Sequence, residues 1–185
     1  MLPGVATQGL RPGLLLALLA VLVAPLVLPA SARPAHARVA VTVATLDEGV
    51  LEQLNAIREL HGLVPLRPSA QLTASAVAHS EEMAADGYFE HRSADGTAFW
   101  RRIERWYPDS DFPFWSVGEN LLWSSPGVDP SEALRLWMRS PEHRANILAP
   151  RWRQIGVAAV HVDAAPGTYH GLPVTIITTD FGVRR

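Results

Sequence analysis

Apolar residues keep a helical spacing over much of this chain and give way to β-rich runs near its end. That order constrains the fold more than any other feature. Leu46, Val50, Leu54, Ile57 and Leu60 recur at three and four residues, the repeat of an amphipathic helix, and the pattern stops at Gly62. "LVPLRPS" reads as a loop closing on Ser69, which is placed to cap a second helix carrying Leu72, Ala76, His79 and Met83 on one stripe up to Gly87. A short helix follows "SADGT", with Phe99, Ile103 and Trp106 expected to face inward. "DPSE" (Asp129–Glu132) starts another, with an acidic N-cap, Pro at the first helical position and Glu in the first turn. Leu134, Trp137 and Met138 form its buried face. The device repeats at Ser140, Pro141 and Glu142, where Ser140 is expected to cap a helix running from Pro141 to Leu148. "QIGVAAVHV" and "PVTIITTDFGV" read as strands joined by a turn at Pro166-Gly167, and "SVGENLLWS" (Ser116–Ser124) as a third. Helices first and strands later predict an α+β fold with an antiparallel sheet.

Before this pattern lies "LLLALLAVLVAPLVL" (Leu14–Leu28), fifteen residues with Pro25 inside. A membrane-spanning helix needs roughly 20 apolar residues, so the run is short for an anchor. Arg11 ahead of it and the small residues "ASA" at Ala30–Ala32 match a secretory signal peptide over residues 1–32. An uncleaved segment is the competing reading and the one route to a membrane. "RPAHARVAVTVAT" (33–45) has no period and reads as a tether, which leaves one domain over 46–185. The expected location is outside the cell or in the cell envelope.

Composition narrows the chemistry. All sixteen basic residues are arginine, so Schiff-base chemistry and a P-loop lysine are excluded. No cysteine is present, which excludes disulfides, thiol nucleophiles and thiolate metal sites. An exported chain of this kind must hold together by packing alone. The net charge of −2 becomes −3 if Arg11 leaves with the leader, so nothing favours nucleic acid as a partner.

Seven histidines remain to be sorted. His36 falls in the tether, His61 at a helix end, His79 on an apolar stripe, and His161 and His170 beside the last turn. His91 sits in the polar loop "GYFEHRSADG" and His143 near a helix N-terminus. Glu119, in "VGENLLW", is an acid entering a β-rich run, an expensive place unless something pairs with it.

"LNAIRELHGLVPL", "GYFEHRSADG", "GENLLW", "LWMRSPEHRANIL" and "IGV…TTDFG" occur in this order. Together, over Asp47 to Gly182, they resemble the bacterial SCP-like extracellular branch of the CAP superfamily, which groups cysteine-rich secretory proteins, antigen 5 and pathogenesis-related proteins. The resemblance implies an α-β-α sandwich, with an antiparallel sheet between helical layers and an open groove. It implies that His91, Glu119 and His143 come together and can hold a divalent metal, zinc foremost. The family's second glutamate falls at Ser140 here, so the implied tetrad is incomplete; Glu142 lies two residues away. The implied ligand groove comprises His91, Glu119, Asn120, Ser140 and His143.

Three functions follow as expectations. The leading one is a non-enzymatic extracellular module whose groove takes a lipid, a cell-wall component or a protein. The second is a metal-dependent hydrolase, peptidase-like, with water activated at the trio. No His-Glu-x-x-His helix or Gly-x-Ser-x-Gly elbow supports it, and no spacing supports a Ser-His pair using Ser93 or Ser140. The third is an envelope protein acting through the aromatic segment Phe99–Trp115, where Phe112, Phe114 and Trp115 could rim the groove.

Overall fold

The computed structural model describes residues 43–185. The leader expected over 1–32, with its cleavage site, and most of the tether lie outside the described residues. The first helix, α1 (Val43–Leu60), takes in the last three residues read as tether. The stripe from Leu46 needs these residues, because the carbonyls of the preceding turn accept its first hydrogen bonds. At the other end, Leu63 N–H donates to Arg58 O and Gly62 N–H to Glu59 O, both at 2.9 Å. Gly62 is left-handed there (φ 69°), the geometry of a Schellman stop.

The segment read as a loop contains a two-residue strand, β1 (Arg67–Pro68), aligned parallel to β3 (Gln154–Ala165). Its proline hid the signal. Next comes α2 (Ala70–Asp86), capped by Ser69 Oγ accepting from Leu72 N–H. It is followed by α3 (Phe99–Trp106), β2 (Trp115–Ser124), α4 (Pro130–Arg139), α5 (Pro141–Ile147) and β4 (Leu172–Arg184). The sheet order is β1-β3-β4-β2. Its three long strands are antiparallel, as expected.

Helices cover both faces of the sheet. Leu54, Trp137, Ile147 and Trp152 from the α1, α4 and α5 side pack on Ile155, Val157, Ile177 and Phe181. On the other face, Met83 and Ala84 of α2 pack with Leu121, Val174 and Ile176, while Leu72, Ile103 and Tyr107 form a neighbouring cluster. A Cβ at Gly156 would lie 2.1 Å from the backbone of Leu72 and Thr73, so glycine lets α2 rest directly on β3. The result is an α-β-α sandwich.

One face was misassigned by periodicity. Trp106, expected inward, is 44% exposed, and Arg102 is buried beside Ile103 instead. A charged side chain enters α3's inner face because a carboxylate waits for it on the sheet.

Candidate functional site

Glu119 lies in the middle of β2 and is 6% exposed. Residues alternate across a strand, so Glu119 shares the α2/α3 side with Leu121. Both of its carboxylate oxygens are engaged. His91 Nδ1–H donates to Oε1 at 2.8 Å, and Arg102 Nη2–H donates to Oε2. Since a carboxylate only accepts, the bond assigns a ring proton to Nδ1. The His91 side chain is 52% exposed, so it reaches the surface. Arg102 also donates through Nη1 to His91 O (3.1 Å) and Ser93 Oγ (3.3 Å). One guanidinium therefore holds the His91 loop, α3 and β2 together.

Directly across the sheet from Glu119 is Asp180, which is fully buried. Burial first, then the negative charge of Glu119, push its carboxyl well above the usual range.

His143 is brought to this strand by its neighbours' side chains. Asn120 Nδ2–H donates to His143 O, and Asn146 Nδ2–H to Glu119 O and to Asn120 Oδ1, all at 3.1 Å. Trp137 Nε1–H donates to Leu121 O at 2.9 Å. The Asn146 amide and the Trp137 indole serve main-chain carbonyls of β2, the last strand on its side of the sheet, while the Asn120 amide serves one of α5. Burial, then the charge of His91, lower the His143 pKa from its ordinary value, with Glu142 opposing. Among the described residues, neither His91 nor Glu119 hydrogen-bonds the His143 ring.

Two further residues of the expected groove join elements of the fold. Asn120 is 1% exposed and fastens α5 to β2. Ser140 forms the joint between α4 and α5, and its side chain makes no capping bond. Its backbone does the joining: N–H donates to Trp137 O and C=O accepts from Arg144 N–H. His79 is fully buried, with Nε2 bonded to Glu90 O at 3.0 Å, a packing role as expected.

The arrangement does not fit the implied metal set. Zinc bound by protein takes at least three protein ligands. Glu119 is paired with the Arg102 guanidinium, whose positive charge opposes a second cation at the same carboxylate, leaving the two imidazoles alone. Among the described residues, no three His, Asp or Glu side chains are grouped to hold an ion.

Sequence reasoning missed Arg102 and Asp180. The rule that singled out Glu119, an acid in a β-rich run, applied equally to the aspartate of "TTDFG". Arg102 left no such trace, because apolar spacing alone favoured Trp106.

Between α2 and α3 a cavity of about 410 Å³ opens, lined by Ala78, Glu82, Ser93, Arg102, Arg105 and Trp106. Arg102 walls it on one side and holds Glu119 on the other.

A three-layer sandwich whose sheet presents a histidine–carboxylate cluster defines a recognisable class of domain. Residues 51–174, more than half of the chain, match the model of the cysteine-rich secretory protein family, CAP, and the chain belongs to that family despite having no cysteine. It is 32% identical over 119 residues to the uncharacterised protein YkwD of Bacillus subtilis, covering 64% of this chain and 44% of that protein. It is 31% identical over 113 residues to the uncharacterised membrane protein YlbC of the same organism, covering 61% and 31%. The chain thus spans less than half the length of these curated relatives. A solved extracellular protein containing an SCP domain, from Bacillus anthracis, is similar with TM-score 0.56 at 26% identity, over 77% of this chain and 43% of that one. An outer surface protein of Borrelia burgdorferi has TM-score 0.59 at 17% identity, over 75% and 92%, a likeness of fold.

Proposed function

We propose that this chain is a secreted, non-enzymatic binding module that takes a polar ligand, a cell-wall fragment or a peptide, in the concavity beside the His91–Glu119–Arg102 cluster. The observation that carries the reading is the cavity between α2 and α3. Its volume lies in the range of small-ligand sites. Arg102, Arg105 and Ser93 offer donors there, Glu82 an acceptor, and Trp106 an exposed aromatic face. A wall so charged suits carboxylates and hydroxyls better than an acyl chain, because burying it against hydrocarbon would strand its polar groups.

The extracellular part of the reading is supported by the leader pattern and by the Bacillus anthracis relative, itself described as extracellular. Among the described residues, no helix is long and apolar enough to cross a membrane. The non-enzymatic part is supported by Glu119, whose carboxylate is already paired with the Arg102 guanidinium, a like charge that opposes a metal ion at the same group.

Saturation-transfer NMR with soluble peptidoglycan fragments and, separately, phospholipid vesicles tests this. Peptidoglycan fragments are expected to bind, and Trp106→Ala and Arg105→Glu each to weaken binding roughly tenfold without unfolding the chain. Binding of vesicles alone, or cleavage of the fragments that Glu119→Gln abolishes, overturns the reading.

A further inference from the structure

Arg102 is 5% exposed, a rare placement for a charged residue. Its Nη2–H meets Glu119 Oε2, and Nη1–H meets His91 O and Ser93 Oγ. His91 Nδ1–H occupies the other carboxylate oxygen. The positive charge that Glu119 needs in a buried position is therefore supplied from within the chain, by a side chain rooted in α3. A divalent ion seeking Glu119 meets a guanidinium already there. To bind there, it must either sit beside that like charge or displace the buried guanidinium from its carboxylate, and both are unfavourable.

We propose that the Arg102 guanidinium is the resident cation of this site, and that it keeps His91, Glu119 and His143 from taking a divalent metal. The site then works without metal, with His91 Nε2 left at the surface for hydrogen bonding. This inference stands apart from the choice of ligand, and its test uses metal alone.

Isothermal titration of the full chain with zinc, paired with cobalt(II) absorption spectra, tests it. Wild type and His91→Ala are expected to show the same weak uptake. Arg102→Gln, which removes the charge, is expected to bind zinc roughly ten- to a hundredfold more tightly than wild type, with tetrahedral cobalt bands. Adding Glu119→Gln to that variant removes the gain. Arg102→Lys, which keeps a cation there, stays like wild type. Tight one-to-one zinc binding by wild type that His91→Ala abolishes overturns the proposal. So does a folded Arg102→Gln that binds no better, or a gain in Arg102→Lys equal to that in Arg102→Gln. If circular dichroism shows that Arg102→Gln does not fold, the comparison of wild type with His91→Ala decides: equal weak uptake supports the proposal, and a site lost in His91→Ala sinks it.

Discussion

Asp47 shows how one side chain can tie stability to pH. Its Oδ1 accepts the Ala159 N–H of β3 at 2.6 Å. Burial, only partly offset by that bond and joined by repulsion from Glu48, pushes the carboxyl up from 3.8 to about 6. The folded chain therefore holds this proton more tightly than the unfolded chain does. Its contribution is complete below about 3.8 and is lost as pH rises through about 6. Asp47→Asn keeps an acceptor for Ala159 and has no charge to bury. It is expected to raise stability at pH 7.5 by roughly 1 kcal/mol, a figure discounted for solvent screening at this partly exposed position, and to flatten the dependence between pH 4 and 6. Urea unfolding of both proteins at pH 4 and 7.5 measures this; equal slopes against pH would falsify it. The acid at position 47 is plain in the sequence, but its titration is not, because the edge of β3 that it meets is over a hundred residues away.

Among the elements, α5 is short and leans on its neighbours. Arg58 of α1, fully buried, donates through Nη1 to Ile147 O (2.7 Å) and Ala149 O (3.0 Å), and through Nε to Val64 O (3.1 Å). A cation beside the carbonyls at a helix end is electrostatically favourable, and here it also fastens α5 to α1. Lysine cannot reproduce the planar fork, so Arg58→Lys is expected to cost roughly 2–4 kcal/mol and to speed amide exchange in α5. A cost below about 0.5 kcal/mol, the scale of ordinary surface changes, contradicts this role. Helix limits were largely legible, since Gly62, Ser69 and Asp129 state their capping chemistry locally. The inner face of α3 was not. Periodicity ranks side chains by hydrophobicity, and it cannot see that Glu119 makes burial of Arg102 favourable.

At the scale of the molecule, a cysteine-free chain keeps three layers together by large buried side chains, among them Trp137, Trp152, Tyr107, Tyr169 and Phe181. Among the described residues no three His, Asp or Glu side chains are grouped to hold an ion, and the polar cluster on the sheet supplies its own cation. Treatment with a chelator is therefore expected to leave both Tm and ligand affinity unchanged. A drop in Tm of several degrees on chelation, restored by zinc, would show instead that a metal helps hold the layers.

The sequence by itself determined the α+β class, the order of the helices, the three long strands and the family, and it singled out His91, Glu119 and His143 as candidates. These follow from short-range signals: repeat spacing, turn residues, and motifs in register. Only the tertiary structure decided what those site residues do. It set Arg102 and His91 on the two oxygens of Glu119, placed Asp180 opposite it, and made Asn120 a clamp for α5. The physical reason is that burial makes a polar group depend on whatever partner lies within hydrogen-bond reach. That partner comes from a different strand or helix, which local spacing does not encode.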